Sequence, residues 1–169
     1  MPHAVGRINL AGRDLTDYMC KILQESRINL STSAERETAA RMKQQMCYVS
    51  ENFDEEVNNF AGKEKQFEMP DGQMVTVHDQ MIRVPEVMFN PALAGKEMMG
   101  LHELTKHTVD NCDMDVRKDL YSNVVVSGGT TMFKGLPERL QSELQGVIPE
   151  AVKARVIAPP ERMISVWIG

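Results

Sequence analysis

The chain has 169 residues, 42% of them hydrophobic and 25% charged, with a net charge of -5 from 19 basic and 24 acidic residues. That is the composition of a soluble globular domain, and with no Lys/Arg block it argues against a nucleic-acid partner. No apolar run approaches the roughly 18 residues of a membrane span, the first residues show no signal-peptide pattern, and Cys20, Cys47 and Cys112 lack the spacing of a zinc site and read as free thiols.

In chain order, AVGRINL (4–10) predicts a strand closed by Gly12. Residues 13–27 predict a helix, with Leu15, Met19, Ile22 and Leu23 on one stripe. Thr32 and Glu35 have the spacing of a capping box, in which a hydroxyl and a carboxylate each satisfy a free amide. They open a second helix that runs through Met46, with Ala34, Thr38, Met42 and Met46 near one face and Lys43 and Gln44 toward its C-terminal end. A short helix around 51–58 and a polar loop at 60–65 follow.

Residues 65–77 read as a hairpin around Pro70-Asp71-Gly72. MIRV (81–84) predicts a strand, after which Pro85 starts a short helix. Residues 89–100 read as a loop whose apolar residues, Ala92, Leu93, Ala94, Met98 and Met99, are exposed. Segments 101–111 and 113–123 predict helices, the second capped by Asp113. Val124, Val125 and Val126 predict a short strand buried on both faces. Gly128 and Gly129 then allow positive φ and close approach of a ligand, while Thr130 and Thr131 offer hydroxyls and an N-cap for a following helix. A helix over 136–145, with Pro137 in its first turn, and a strand over 154–158 complete the pattern before the terminal SVWIG.

This order predicts an α/β fold in two lobes. A sheet lobe comes from residues 1–11 and 101–169, with strands 5–10, 124–127 and 154–158. An α+β lobe, residues 12–100, is inserted in it. Ligands in α/β folds bind outside the carboxyl ends of the strands. Gly12-Arg13 and Gly128-Gly129 both fall at strand ends, and Lys43 sits on a helix that can face the same crevice. Each has a plainer reading: a βα turn at the glycines, a strand cap at Gly12, a solvated helix lysine at Lys43. His3, His78, His102 and His107 fit no triad or metal spacing.

Five stretches carry a resemblance: AGRDLTDYMCKIL, TSAERETAARMKQQMCYV, MPDGQMVTV, DVRKDLYSNVVVSGGTTM and VIAPPER…SVWIG. Together, in collinear order, they resemble actin over essentially the whole chain. The likeness is to the second half of an actin, its subdomains 3 and 4, without the phosphate-binding hairpin that opens that half and without the tail that ends it. It implies one ribonuclease H-like half of a two-domain fold that holds ATP or ADP with a divalent cation between its domains.

Carried over residue by residue, the resemblance implies nucleotide contacts at Gly12 and Arg13, at Lys43 and Gln44, and at Gly128, Gly129, Thr130, Met132 and Phe133. Four positions depart from the family. Gln44 stands where actins have a ribose-holding Glu, Met163 where they have a Lys beside the base, Phe133 for a Tyr, and Asn9 for an Asp in the first strand. An amide at 44 hydrogen-bonds without charge assistance.

The resemblance further implies a cytoplasmic, cytoskeletal structural protein that contributes one wall of an ATP cleft. It implies no catalysis by this chain alone, because the parts that position water and cation lie on the other half; slow ATP hydrolysis would need a complete actin. For the same reason, nucleotide binding by this chain alone is expected to be absent or weak, in the millimolar range or about -4 kcal/mol. Filament-type contacts are implied at Pro70, Asp71, Leu93, Met98, Met99, Asp113 and Asp115, with actin-type subunits, further copies of this chain or actin-binding proteins as partners. The alternative is a nucleotide-binding ATPase half-domain of the wider actin, Hsp70 and sugar-kinase superfamily.

Overall fold

The structure, a computed structural model, describes residues 2–168. Met1 and Gly169, the outermost residues of the expected sheet lobe, lie outside the described residues. Eight helices and four short strands are present among the described residues.

Helix α1 (Gly12–Leu23) buries Leu15, Met19, Ile22 and Leu23 on the predicted stripe. It tightens into a 3₁₀ turn, Gln24–Ser26, and stops where Arg27 turns left-handed at φ 61°. Helix α2 (Ser33–Met46) begins on the predicted capping box. The Glu35 amide donates to Thr32 Oγ1 at 3.3 Å, and Glu35 Oε2 accepts from the amides of Thr32 (2.7 Å) and Ser31 (2.8 Å). Its buried face is Thr38, Ala39, Met42, Lys43 and Met46; Ala34, in the first turn, is exposed instead. Helix α3 (Phe53–Asn58) follows, with Asn52 as its cap.

Strands β1 (Lys65–Glu68) and β2 (Met74–Val77) form the predicted antiparallel hairpin in the register Lys65↔Val77 to Glu68↔Met74. Phe67, Val75 and Val77 point into the core and their neighbours point out, the alternation of a one-sided ribbon. MIRV is not a strand. Helix α4 (Gln80–Glu86) takes it up, with Pro85 inside the helix and not at its start. Four apolar residues do not distinguish a buried helix from a buried strand by period alone. Met81, Ile82 and Val84 are all fully buried, as a helix enclosed on several sides requires. Pro85 has no N–H, so Met81 O loses its helical partner, and the amide of Tyr48 donates to it instead at 3.2 Å.

Beyond a 3₁₀ turn, Pro91–Ala94, come α5 (Leu101–Asp110) and α6 (Met114–Tyr121). The Asp113 side chain makes no capping bond to α6. Strands β3 (Val124–Val125) and β4 (Val156–Ile157) pair in parallel, joined through α7 (Leu136–Val147). A helical turn, α8 (Ser165–Ile168), ends the described chain.

Three expectations about this lobe change. Residues 5–10 form no strand, because no strand among the described residues lies beside them to share backbone bonds. They run along α5 instead; a Cβ on Gly6 would meet Thr108 Oγ1 at 2.6 Å. The strand at 124 is not buried on both faces: Val126 is buried, Val125 is 62% exposed. Thr130 and Thr131 cap no helix. They lie in a 3₁₀ turn, Gly129–Met132, where Thr131 Oγ1 donates to Gly128 O at 2.7 Å. Gly135 precedes α7 at φ 85°, with Val49 O only 2.4 Å from where a Cβ would stand.

One hydrophobic core runs through both expected lobes, from Leu15 and Met42 to Leu136 and Leu144. A buried ion cluster crosses it. Arg139 on α7 donates to Glu86 on α4 at 2.9 and 3.1 Å, to Glu143 at 2.7 Å and to Ser50 O at 2.7 Å, and lies 4.9 Å from the Phe89 ring centre. Burial outweighs this pairing and pushes the Glu86 carboxyl above its ordinary range.

Candidate functional site

The first turn of α1, the C-terminal half of α2 and the 3₁₀ turn after Gly128 meet around a cleft of about 670 Å³. Gly12, Arg13, Lys43, Gln44, Gly129, Thr130, Met132 and Phe133 all line it. Residues distant in sequence, identified one by one, are therefore neighbours. Gly128 does not line the cleft. At φ 98° it turns the chain behind it, and its amide donates to Arg162 O at 2.7 Å.

Lys43 lines the cleft from α2. Its side chain is buried, not solvated, at 7% exposure. Its Nζ donates to Gly12 O at 2.6 Å and to Thr16 Oγ1 at 2.9 Å, so the lysine ties α2 to the start of α1. An ammonium has three donors and these use two. Both acceptors are neutral, and no carboxylate forms an ion pair with Lys43 among the described residues. Burial accordingly lowers its pKa.

Gly12 leaves a gap that a side chain would occupy. A Cβ there would stand 3.3 Å from Thr130 Oγ1 and 3.6 Å from Lys43 Nζ. The glycine keeps open the space where the lysine, the threonine hydroxyl and the first turn of α1 converge. A helix N-terminus carries partial positive charge, which adds to that of the ammonium.

Five further residues line the cleft and were not singled out as contacts: Thr16, Ala40, Gln45, Cys47 and Lys134; Met163, noted only as a departure from the family, lines it too. The signal for two of them was available. Ala40, Lys43, Gln44 and Cys47 fall at i, i+3, i+4 and i+7; the first three share one face of α2, and Cys47 is the residue that ends it. Cys47 is free and buried, and burial pushes its thiol up to about 12, so it brings no negative charge. The charged side chains of the lining are thus Arg13, Lys43 and Lys134, all cationic, in a chain whose net charge is -5. Met132, Phe133 and Met163 supply an apolar wall.

A second, larger cavity of about 890 Å³ adjoins it, sharing Gln45, Cys47 and Lys134. Lys63, Lys65 and Lys134 are balanced there by Glu51, Glu64 and Glu138, and Lys63 is paired with Glu56. It has no preferred sign of charge and contains none of the implied nucleotide contacts.

The residues implied as subunit contacts lie apart from the cleft. Pro70 and Asp71 are exposed at the hairpin tip, where Asp71 Oδ1 accepts from the Gln73 amide at 3.0 Å. Asp113 and Asp115 are exposed at the start of α6. In the 89–100 segment Met99 is exposed, but Leu93 and Ala94 pack partly against the core and Met98 is half-buried. That loop is therefore less of an open apolar surface than its sequence suggests. No helix among the described residues is long and apolar enough to cross a membrane.

The chain matches the family model described as Actin, and the match runs over residues 1–169. The chain therefore belongs to the actin family.

Proposed function

We propose that the cleft binds the nucleoside and phosphate of ATP or ADP, and that the chain is an actin-type cytoskeletal protein corresponding to the second half of an actin. The observation that carries the nucleotide reading is the composition of the cleft: three cationic side chains, one of them buried without a counter-ion, beside an apolar wall. An anion satisfies the cations, and a flat base fits against Met132, Phe133 and Met163. On this reading the chain supplies one wall of the site and is not catalytic by itself. Phosphoryl transfer needs an in-line nucleophile and charge neutralisation on both sides of the phosphate. Subunit contacts at the hairpin tip and the start of α6 belong to the same reading and are supported by their exposure.

Methionine-methyl NMR tests the nucleotide reading directly. Met132 and Met163 line the cleft, whereas Met74 and Met114 are exposed on the hairpin and on α6. Millimolar ADP should shift the first two and leave the second two in place. No movement at Met132 and Met163, or equal movement of all four, would refute it.

A further inference from the structure

We infer that this chain by itself takes the nucleotide as the free anion and not as its divalent-cation chelate. The inference rests on the nucleotide reading above and concerns the cation that usually accompanies it in the family. The donor set does not fit that cation. Hard divalent cations are held by carboxylate and carbonyl oxygens, and no Asp or Glu lines the cleft. The two acidic residues nearest along α1 are engaged elsewhere: Asp14 with Lys96 and the Ala11 amide, Asp17 with Arg36. Gly12 O, the carbonyl at the cleft floor, already accepts from both Lys43 Nζ and Thr16 Oγ1. Cys47 is held as a neutral thiol. Among the described residues no group of three His, Cys, Asp or Glu side chains could hold a metal ion.

The cations already present do what a metal would do. Lys43, Arg13 and Lys134 are available to offset phosphate charge. A divalent ion bound to the same phosphates cancels part of the negative charge that attracts these side chains, and brings a double positive charge toward a buried ammonium. Chelation should therefore weaken binding at this cleft.

The test titrates ADP into this chain at matched ionic strength, once with a chelator and once with excess magnesium, following the methyl signals of Met132 and Met163. The metal-free arm should bind more tightly by about tenfold, the equivalent of one charge-assisted contact. Inorganic pyrophosphate should show the same ordering. Gln44→Glu puts a carboxylate at an exposed position of the lining and should shrink the difference between the arms. Equal affinity in the two arms, or tighter binding with magnesium, overturns the inference and leaves the nucleotide reading standing. If ADP moves Met132 and Met163 in neither arm, the nucleotide reading fails, and the inference fails with it.

Discussion

Replacing Arg139 by leucine removes the cation from a buried pair and leaves the anion behind. Arg139 is 7% exposed and Glu86 5%, and two bonds of 2.9 and 3.1 Å join them. Ser50 O loses its donor in the same step. Breaking a buried pair in this way costs about 3–5 kcal/mol, much of a domain's typical total of about 5–15 kcal/mol. The deficit should depend on pH, and its sign follows from Glu86. The folded-state pKa of this carboxyl is already raised by burial. Without the guanidinium it rises further. A carboxyl with a raised folded pKa favours folding while it is protonated, and that contribution is lost as pH rises through the folded value. The variant should therefore be closest to the parent in mild acid and furthest from it above neutrality. Urea denaturation at a series of pH values measures this, followed by far-UV circular dichroism, because Trp167 is 87% exposed and its fluorescence reports little of the core. Adding Glu86→Leu should recover most of the loss. A cost below about 1 kcal/mol at neutral pH, or a deficit that does not vary with pH, would show that the pair is not the buried, mutually dependent unit described here.

Thr32→Ala removes the hydroxyl half of the α2 capping box and should cost about 1 kcal/mol in denaturant titration; an unchanged midpoint would mean that the amides of Ser31 and Thr32 bonded to Glu35 suffice alone. Gly12→Ala should leave the fold intact but weaken the ADP-induced shifts at Met132 and Met163, because its methyl would press on Thr130 Oγ1 and fill the space beside Lys43 Nζ; an unchanged titration refutes that. Met163→Lys adds a fourth cation to the lining and should tighten ADP, so unaltered or weaker binding would exclude position 163 from the site. Val166, Trp167 and Ile168 are 83%, 87% and 58% exposed and do not pack on the chain's own sheet. Light scattering should therefore show concentration-dependent self-association that Trp167→Ser relieves, and a strict monomer at every concentration would refute it.

Elements specified by local chemistry were legible before the fold was known. The α2 cap needs only Thr32 and Glu35 three residues apart, and the hairpin needs only an alternating pattern and a Pro-Asp-Gly turn. Both are decided within a few residues of chain. The misread elements are decided by distant partners. MIRV is a helix because its surroundings bury it on several sides, and because Tyr48 satisfies the carbonyl that Pro85 leaves free. Segment 5–10 has the composition of a strand but pairs with none among the described residues. β-structure requires a neighbour, and no periodicity within six residues can report whether one is present.

The cleft divides along the same line. The chemically conspicuous residues could be found one at a time: two glycines with the hydroxyl that follows them, and a lysine on a helix beside a third glycine. That they converge is a tertiary fact, and so is what the lysine does. A solvated Lys43 and a buried Lys43 have the same sequence; only the 2.6 Å bond to Gly12 O distinguishes them. The charge balance of the lining was also hidden. Over the whole chain acids outnumber bases by 24 to 19, yet the lining has three bases and no acid. Net charge averages over the surface, whereas binding depends on the few charges that share a cavity. Here those few charges are all positive, and that local balance, not the net charge of -5, is what favours an anion in the cleft.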